Sequence, residues 1–166
     1  ALEQVRLRFE IGDQATRVLS EIHFQRNPRA DAAGEIRLDG QGMELVSVAL
    51  DGRELESGAY EQTPDHLVIH DAPERGQLDI EVLIRPRDNT ALEGLYPSGD
   101  FLLTQCEAEG FRKITYFPDR PDVMARFTTE IIADRDSCPV MLSNGNLVDS
   151  DELPDNRHRV VWQDPF

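Results

Sequence analysis

Apolar side chains recur at every second position over much of this chain. Val5, Leu7, Phe9 and Ile11 alternate with Arg6, Arg8 and Glu10, the period of a strand with one buried face. Gly12-Asp13 then reads as a turn. Val18, Ile22 and Phe24 resume the pattern opposite Arg17, Glu21, His23 and Gln25. Val46, Val48 and Leu50 run into Asp51-Gly52, a two-residue hairpin signal, because both central positions of such a turn take positive φ. Leu78, Ile80, Val82 and Ile84 alternate with Asp79 and Glu81 and stop before Pro86. Phe127, Thr129 and Ile131 predict another strand, as do residues 140–142 before Ser143-Asn144-Gly145 and residues 160–162 near the end. Short strands divided by turn signals predict an all-β, antiparallel β-sandwich in a single domain. The one helical signal covers residues 121–126, with Asp119 as N-cap and Pro121 in the first turn. The alternation lapses over residues 89–117, which Gly94, Pro97, Gly99 and Gly110 punctuate. Irregular backbone laid on a β scaffold is where binding residues gather, though the same pattern fits a loop covering a sheet edge.

Composition narrows the classes. A chain of 166 residues fits one domain, and a domain of that size buries roughly 70% of its unfolded surface without help from disulfides or metals. Lys and Arg number 17 against 32 Asp and Glu, a formal charge of −15, which repels phosphate backbones and excludes nucleic acid as a partner. No apolar run approaches the ~18–20 residues of a membrane helix, so no membrane partner is expected, and no signal peptide stands at Ala1. The start at Ala1 and the ending at Pro165-Phe166 read as cuts in a longer polypeptide. Cys106 and Cys138 allow one bridge at most and are expected as reduced thiols of a cytoplasmic protein, in keeping with the lack of an Asn-x-Ser/Thr sequon.

No complete active site emerges from the residues. His66 and His70 have the i, i+4 spacing of a zinc-binding helix, but no Glu follows the first histidine. Leu67, Val68 and Ile69 between them favour a strand, in which four residues span ~13 Å. Two histidines so separated cannot share an ion through bonds of ~2.0–2.1 Å. Cys106 has no histidine nearby in sequence, no Gly-x-Ser-x-Gly elbow exists, and the glycines at 34, 40 and 42 do not make a phosphate loop. What remains is a set of carboxylates in the irregular stretch: Glu93, Asp100, Glu107 and Glu109. Glu107 and Glu109 would share a face of an extended chain, either as a solvated cluster or as a carboxylate displayed to an ammonium group.

Several blocks carry a resemblance. The run Thr104-Gln105-Cys106-Glu107-Ala108-Glu109-Gly110-Phe111-Arg112-Lys113-Ile114-Thr115-Tyr116 resembles the gluzincin zinc aminopeptidases, in their bacterial aminopeptidase N branch. So do Asn89-Thr90-Ala91-Leu92-Glu93-Gly94-Leu95-Tyr96, Asp119-Arg120-Pro121-Asp122-Val123, Leu142-Ser143-Asn144-Gly145-Asn146 and Trp162-Gln163-Asp164-Pro165-Phe166, in the same order. Tyr116-Phe117-Pro118-Asp119-Arg120-Pro121 stands where animal members carry a Cys-Phe-Asp-Glu-Pro type sequence, which favours the bacterial branch. The first 88 residues match only in strand pattern and around Asp39-Gly40.

The resemblance implies that residues 1–166 are the N-terminal β-domain of such an enzyme, built of twisted, saddle-like sheets and contacting a thermolysin-like catalytic domain outside this chain. It implies zinc in the whole enzyme with every ligand in that other domain, so that neither a metal ligand nor a catalytic residue is expected here. By residue match, Glu107 would hold the α-amino group of a peptide substrate and Gln105 would hydrogen-bond around its first residue. The physics agrees: an α-amino group has a pKa of about 7.7–8.0, and a carboxylate against it forms a charge-assisted hydrogen bond. An internal peptide bond offers no such cation, so a desolvated carboxylate would be left unpaired, which selects chain ends. Gln105 adds two donors and an acceptor without charge. Cys106, between them, should face inward. The competing readings are a non-catalytic scaffold of the same family and an unrelated β-sandwich binding module, for carbohydrate for example. An intact Gln105-x-Glu107 argues against the first, and the lack of aromatic platforms against the second. Epoxide-hydrolysing relatives resemble Gln-x-Gln at this place, against which Glu107 speaks.

Overall fold

A computed structural model of the protein describes residues 1–27 and 34–165, so Phe166 of the last matching block lies outside the described residues. The chain forms β1 (Leu2–Ile11), β2 (Thr16–Gln25), β3 (Ile36–Asp39), β4 (Glu44–Leu50), β5 (Arg53–Glu54), β6 (Tyr60–Gln62) and β7 (His66–Ile69). It continues through β8 (Arg75–Ile84), β9 (Gly94–Ser98), β10 (Phe101–Gln105), β11 (Arg126–Asp134), β12 (Asn146–Leu153) and β13 (Arg157–Asp164). Helical backbone among the described residues is limited to the 3-10 turns Pro86–Asp88 and Phe111–Lys113, and no helix is long and apolar enough to cross a membrane.

An eight-stranded sheet runs in the order β12-β13-β11-β1-β2-β8-β4-β5, with a three-stranded sheet β3-β7-β6 and a two-stranded ribbon β10-β9. The sandwich expected from the alternation is what forms. Its rows are visible in the register: Leu50, Leu78, Ile22, Val5 and Phe127 are paired side by side across five strands, and Leu45, Val82, Val18, Phe9 and Ile131 form a parallel row. Leu38, Leu67 and Ile69 of the small sheet join the same core. One pair departs from the antiparallel rule, since β1 runs parallel to β11. That contact joins strands distant in sequence, and the long connection between them carries the ribbon and the small sheet.

The Asp51-Gly52 hairpin is as expected, with φ of 50° and 75° at the two positions. Three other expectations need correction. Residues 121–126 are not helical: a single Val123 N–H to Arg120 carbonyl bond closes one turn, and Arg126 already begins β11. The reason lies with Asp119, whose carboxylate accepts from the Arg112 N–H and Nε instead of capping a helix. Residues 140–142 do not form a strand. Met141 is buried while Val140 and Leu142 are exposed, a loop pinned by one side chain. Finally, residues 89–117 are only partly irregular, because they contain the β9–β10 ribbon. Val46 also departs from its alternation: the β4–β8 register skips it, so Leu45 and Val48 turn inward and Val46 stays exposed.

Candidate functional site

The β9–β10 ribbon pairs Gly94 with Gln105 at its base and Ser98 with Phe101 at its tip. Pro97 is tolerated because each strand of a two-stranded ribbon has a free edge. Asn89 ties the approach to the ribbon: its amide donates to the carbonyls of Glu93 (2.7 Å) and Leu95 (2.9 Å), and its Oδ1 accepts from Ala91 N–H (3.0 Å).

Beyond Gln105 the chain turns back at once, with Gly110 N–H donating to the Cys106 carbonyl at 2.9 Å. Gly110 sits so close to the ribbon base that an added Cβ would stand 2.4 Å from the Gln105 carbonyl oxygen. Gly94, at φ +71°, is as closely packed against Lys113, since an added Cβ would stand 2.7 Å from the Lys113 Cβ. The loop between Gln105 and Gly110 is therefore gathered over the 3-10 turn, and the Glu107–Ala108 peptide within it is cis. Because the backbone turns rather than extends, Glu107 and Glu109 do not share a strand face.

The same turn is fastened to the rest of the molecule. Thr115 Oγ1 lies 3.0 Å from Ser20 Oγ, a buried hydroxyl between Ile80 and Leu7 in the large sheet. Tyr116 is buried, packs its ring on Gly40, and accepts from Gln62 Nε2 at 3.0 Å. Asp39 and Phe117 exchange both backbone bonds. Phe111 meets Phe117 edge-on at 4.7 Å and Phe127 at 6.1 Å. Burial works against the Arg112 charge, but the hydrogen bond to Asp119 and the charges of Asp39, Glu109 and Asp119 outweigh it and raise its pKa above the ordinary value.

Both expected site residues stand together at the base of the ribbon, exposed, with Gln105 Nε2 donating to the Glu107 carbonyl at 3.3 Å. Cys106 points the other way into the core, as expected, and burial with the added effect of the Asp119 charge pushes its thiol up to about 11. The carboxylates of the loop differ in their circumstances. Glu109 is paired with Arg112 at 3.1 Å and Glu93 with Lys113 at 3.7 Å. The Glu107 carboxylate has neither a hydrogen bond nor an ion pair among the described residues. A carboxylate left open beside a side-chain amide that can donate and accept is suited to an ammonium group. Sequence reasoning missed Arg112 and Lys113; the signal available was two cations placed three and four positions beyond Glu109.

The strand reading holds for Leu67, Val68 and Ile69, with His66 opening β7 beside Asp39 and His70 just past its end beside Glu35, each at 3.3 Å. Among the described residues no group of three or more His, Cys, Asp or Glu side chains is placed to hold a metal ion, so the residues present do not fit a zinc site. Both cysteines are free.

Comparison with known proteins decides the family. The family model described as the Peptidase M1 N-terminal domain matches residues 3–166. The chain belongs to this M1 peptidase family. The M1 domain is 49% identical over 165 residues to the aminopeptidase N of Escherichia coli, covering 99% of this chain and 18% of that protein. It is 46% identical over 166 residues to the aminopeptidase N of Caulobacter vibrioides, covering 100% of this chain and 19% of that protein. The chain thus spans about a fifth of the length of these relatives. Among solved structures, the aminopeptidase A of Legionella pneumophila in complex with aspartic acid superposes with a TM-score of 0.93 at 34% identity, over 98% of this chain and 19% of that one. The M1 zinc metallopeptidase of Deinococcus radiodurans, at 15% identity and a TM-score of 0.78 over 98% of this chain and 38% of its own, shares the fold.

Proposed function

We propose that this M1 domain anchors the free amino end of a peptide in a zinc aminopeptidase, with Glu107 as the ammonium acceptor and Gln105 beside it. The observation that carries the reading is the open carboxylate of Glu107, flanked by Glu93 and Glu109 that are already paired. The aminopeptidase names of the relatives support the class. So does the ligand of the Legionella relative, an amino acid with a free α-amino group.

Both Glu107 and Gln105 are open to water in these 166 residues. An exposed ion pair contributes only ~0–1 kcal/mol, so the anchor gains its strength when another part of the polypeptide covers it. The remainder of the whole protein would supply that cover, together with the zinc ligands and the groups that do the chemistry. This chain's share is to hold the ammonium, orient the first residue through Gln105, and so fix how far the scissile bond lies from the anchor. Exposed Phe101, Val140 and Leu142, along a groove of about 1160 Å³ between the ribbon and the large sheet, fit a face that the same remainder covers. A cytoplasmic setting accords with the free thiols.

The test is Glu107→Ala in the full-length protein, assayed on an aminoacyl-anilide. Removing one member of a desolvated pair takes roughly 3 kcal/mol, or about 100-fold in kcat/KM. A loss below threefold would mean that Glu107 does not hold the amine.

A further inference from the structure

Arg112 stands where three parts of the molecule meet. Its backbone N–H and its Nε both donate to Asp119 Oδ2, at 3.1 and 3.0 Å, while Nη2 donates to the Asp119 carbonyl at 3.1 Å. The same nitrogen lies 3.1 Å from Glu109 Oε2, in the loop that holds Glu107. Asp119 in turn donates its N–H to Asp39 Oδ2 at 3.1 Å, and Asp39 ends β3 of the small sheet. Gln41 N–H, just past that strand, donates to the Arg112 carbonyl at 2.8 Å. One planar guanidinium thus ties the Gln105–Gly110 loop to a buried carboxylate and, through it, to a sheet that the loop itself does not join.

The arrangement is asymmetric in a way that bears on function. The Arg112 side chain is 18% exposed and that of Asp119 is 9%, whereas Glu109 is 60% exposed. The Asp119 half is the fixed anchor, and the Glu109 half is an arm reaching outward to the loop. Lys113, next in sequence, reaches Glu93 before the ribbon instead, so one cation holds the approach to the ribbon and the other the loop that follows it. Of the two glutamates in the loop, Glu107 is the one whose carboxylate is left without a partner among the described residues, at a position set by the loop that Arg112 holds.

We propose that Arg112 is a positioning residue for the amine anchor, fixing Glu107 through its grip on Glu109. This rests on the reading of Glu107 as the ammonium acceptor. Arg112 touches no substrate atom; its effect passes through the loop. A lysine keeps the charge but lacks the planar fork needed to reach Asp119 and Glu109 together.

The experiment is a double-mutant cycle in the full-length protein, with kcat/KM measured on an aminoacyl-anilide. Arg112→Lys is expected to lower kcat/KM about tenfold in the otherwise native protein, since small displacements of an anchor are amplified in rate. In a Glu107→Gln background the same change should lose less than about twofold, because the group it positions is already gone. Glu109→Gln leaves the Asp119 contacts intact and should show a smaller loss, about threefold, that likewise vanishes with Glu107→Gln. It carries the test by itself if thermal unfolding shows that Arg112→Lys is not folded. Equal losses in both backgrounds, or no loss from the variant that carries the test, would overturn the positioning role. If Glu107→Gln alone loses less than threefold, the amine-anchor reading fails and the positioning role fails with it. A large Glu107→Gln loss with background-independent losses at Arg112 and Glu109 sinks the positioning role only.

Discussion

Glu107 and Glu109 carry the same side chain two positions apart, yet one is held by Arg112 and the other is open. Nothing in their residue type separates them. What separates them is the backbone turn closed by Gly110 N–H on the Cys106 carbonyl, which sends one outward and the other back toward the 3-10 turn. The sequence placed both in one acidic stretch, and only the resemblance singled out Glu107. Cys106 was easier to read, since a small apolar residue between two polar ones alternates inward. Its environment makes a separate prediction. The ordinary thiol value of 9.0 rises to about 11 through burial and then through the Asp119 charge, because both disfavour the thiolate. Two units reduce the thiolate fraction about 100-fold near pH 8, and the greater nucleophilicity of a more basic thiolate returns about tenfold. Cys106 should therefore react with iodoacetamide at least about tenfold more slowly in the folded protein than in urea, as followed by mass spectrometry of its peptide. Equal rates would show that the thiol is not shielded. The raised pKa also sets the direction of the pH effect. The thiol's contribution to folding is full below 9.0 and is lost as the pH climbs toward about 11.

At the scale of elements, the long strands with one buried face were legible, whereas the short β3, with Leu38 alone fully buried, and β12, with no buried face, were not. β1, β2 and β8 announce themselves because each sends alternate residues into the core. β12 escaped because Asn146 to Glu152 are all exposed, so its sequence carries no alternation to find. It forms as an edge strand on β13, with Arg159 of β13 reaching both Asp149 and Asp151. Residues 121–126 had good local helix signals, but Asp119 makes stronger bonds with Arg112 than a cap would give, and tertiary structure overrode them. The ribbon base shows a further kind of hidden constraint. Gly110 has φ −87° and ψ −10°, a conformation open to any residue, so no turn rule demands glycine there. The demand comes from the Gln105 carbonyl, 2.4 Å from where a Cβ would stand. Gly110→Ala should accordingly destabilise the protein by about 1–3 kcal/mol, the usual range for overpacking. Urea unfolding measures it, and a change under about 0.5 kcal/mol, the range of neutral surface substitutions, would show that the loop has room to give.

For the whole molecule, the all-β class followed from the alternation, while the parallel β1–β11 pairing did not. Period and turn signals describe neighbours in sequence, and that pair joins the two ends of the fold. The charge of −15 is likewise a property of the whole, and several of its carboxylates are matched locally, by Arg17, Arg112 and Arg159 among others. What the proposed anchor lacks is also a matter of scale. It is a single open carboxylate on a water-exposed loop, and the described residues bring no histidine and carboxylate cluster near it or anywhere else. An aminopeptidase reaction needs a polarised carbonyl and an activated water as well as an anchor. The 166 residues by themselves should therefore hydrolyse an aminoacyl-anilide no faster than buffer, with or without added zinc. Their affinity for an amino acid amide should be slight, because an exposed pair yields at most ~1 kcal/mol. The full-length protein, assayed beside them, should turn over the same anilide and lose that activity when chelator removes its metal. Zinc-dependent turnover by the 166 residues alone would mean that this domain holds a catalytic centre, and the division of labour proposed for it would be wrong.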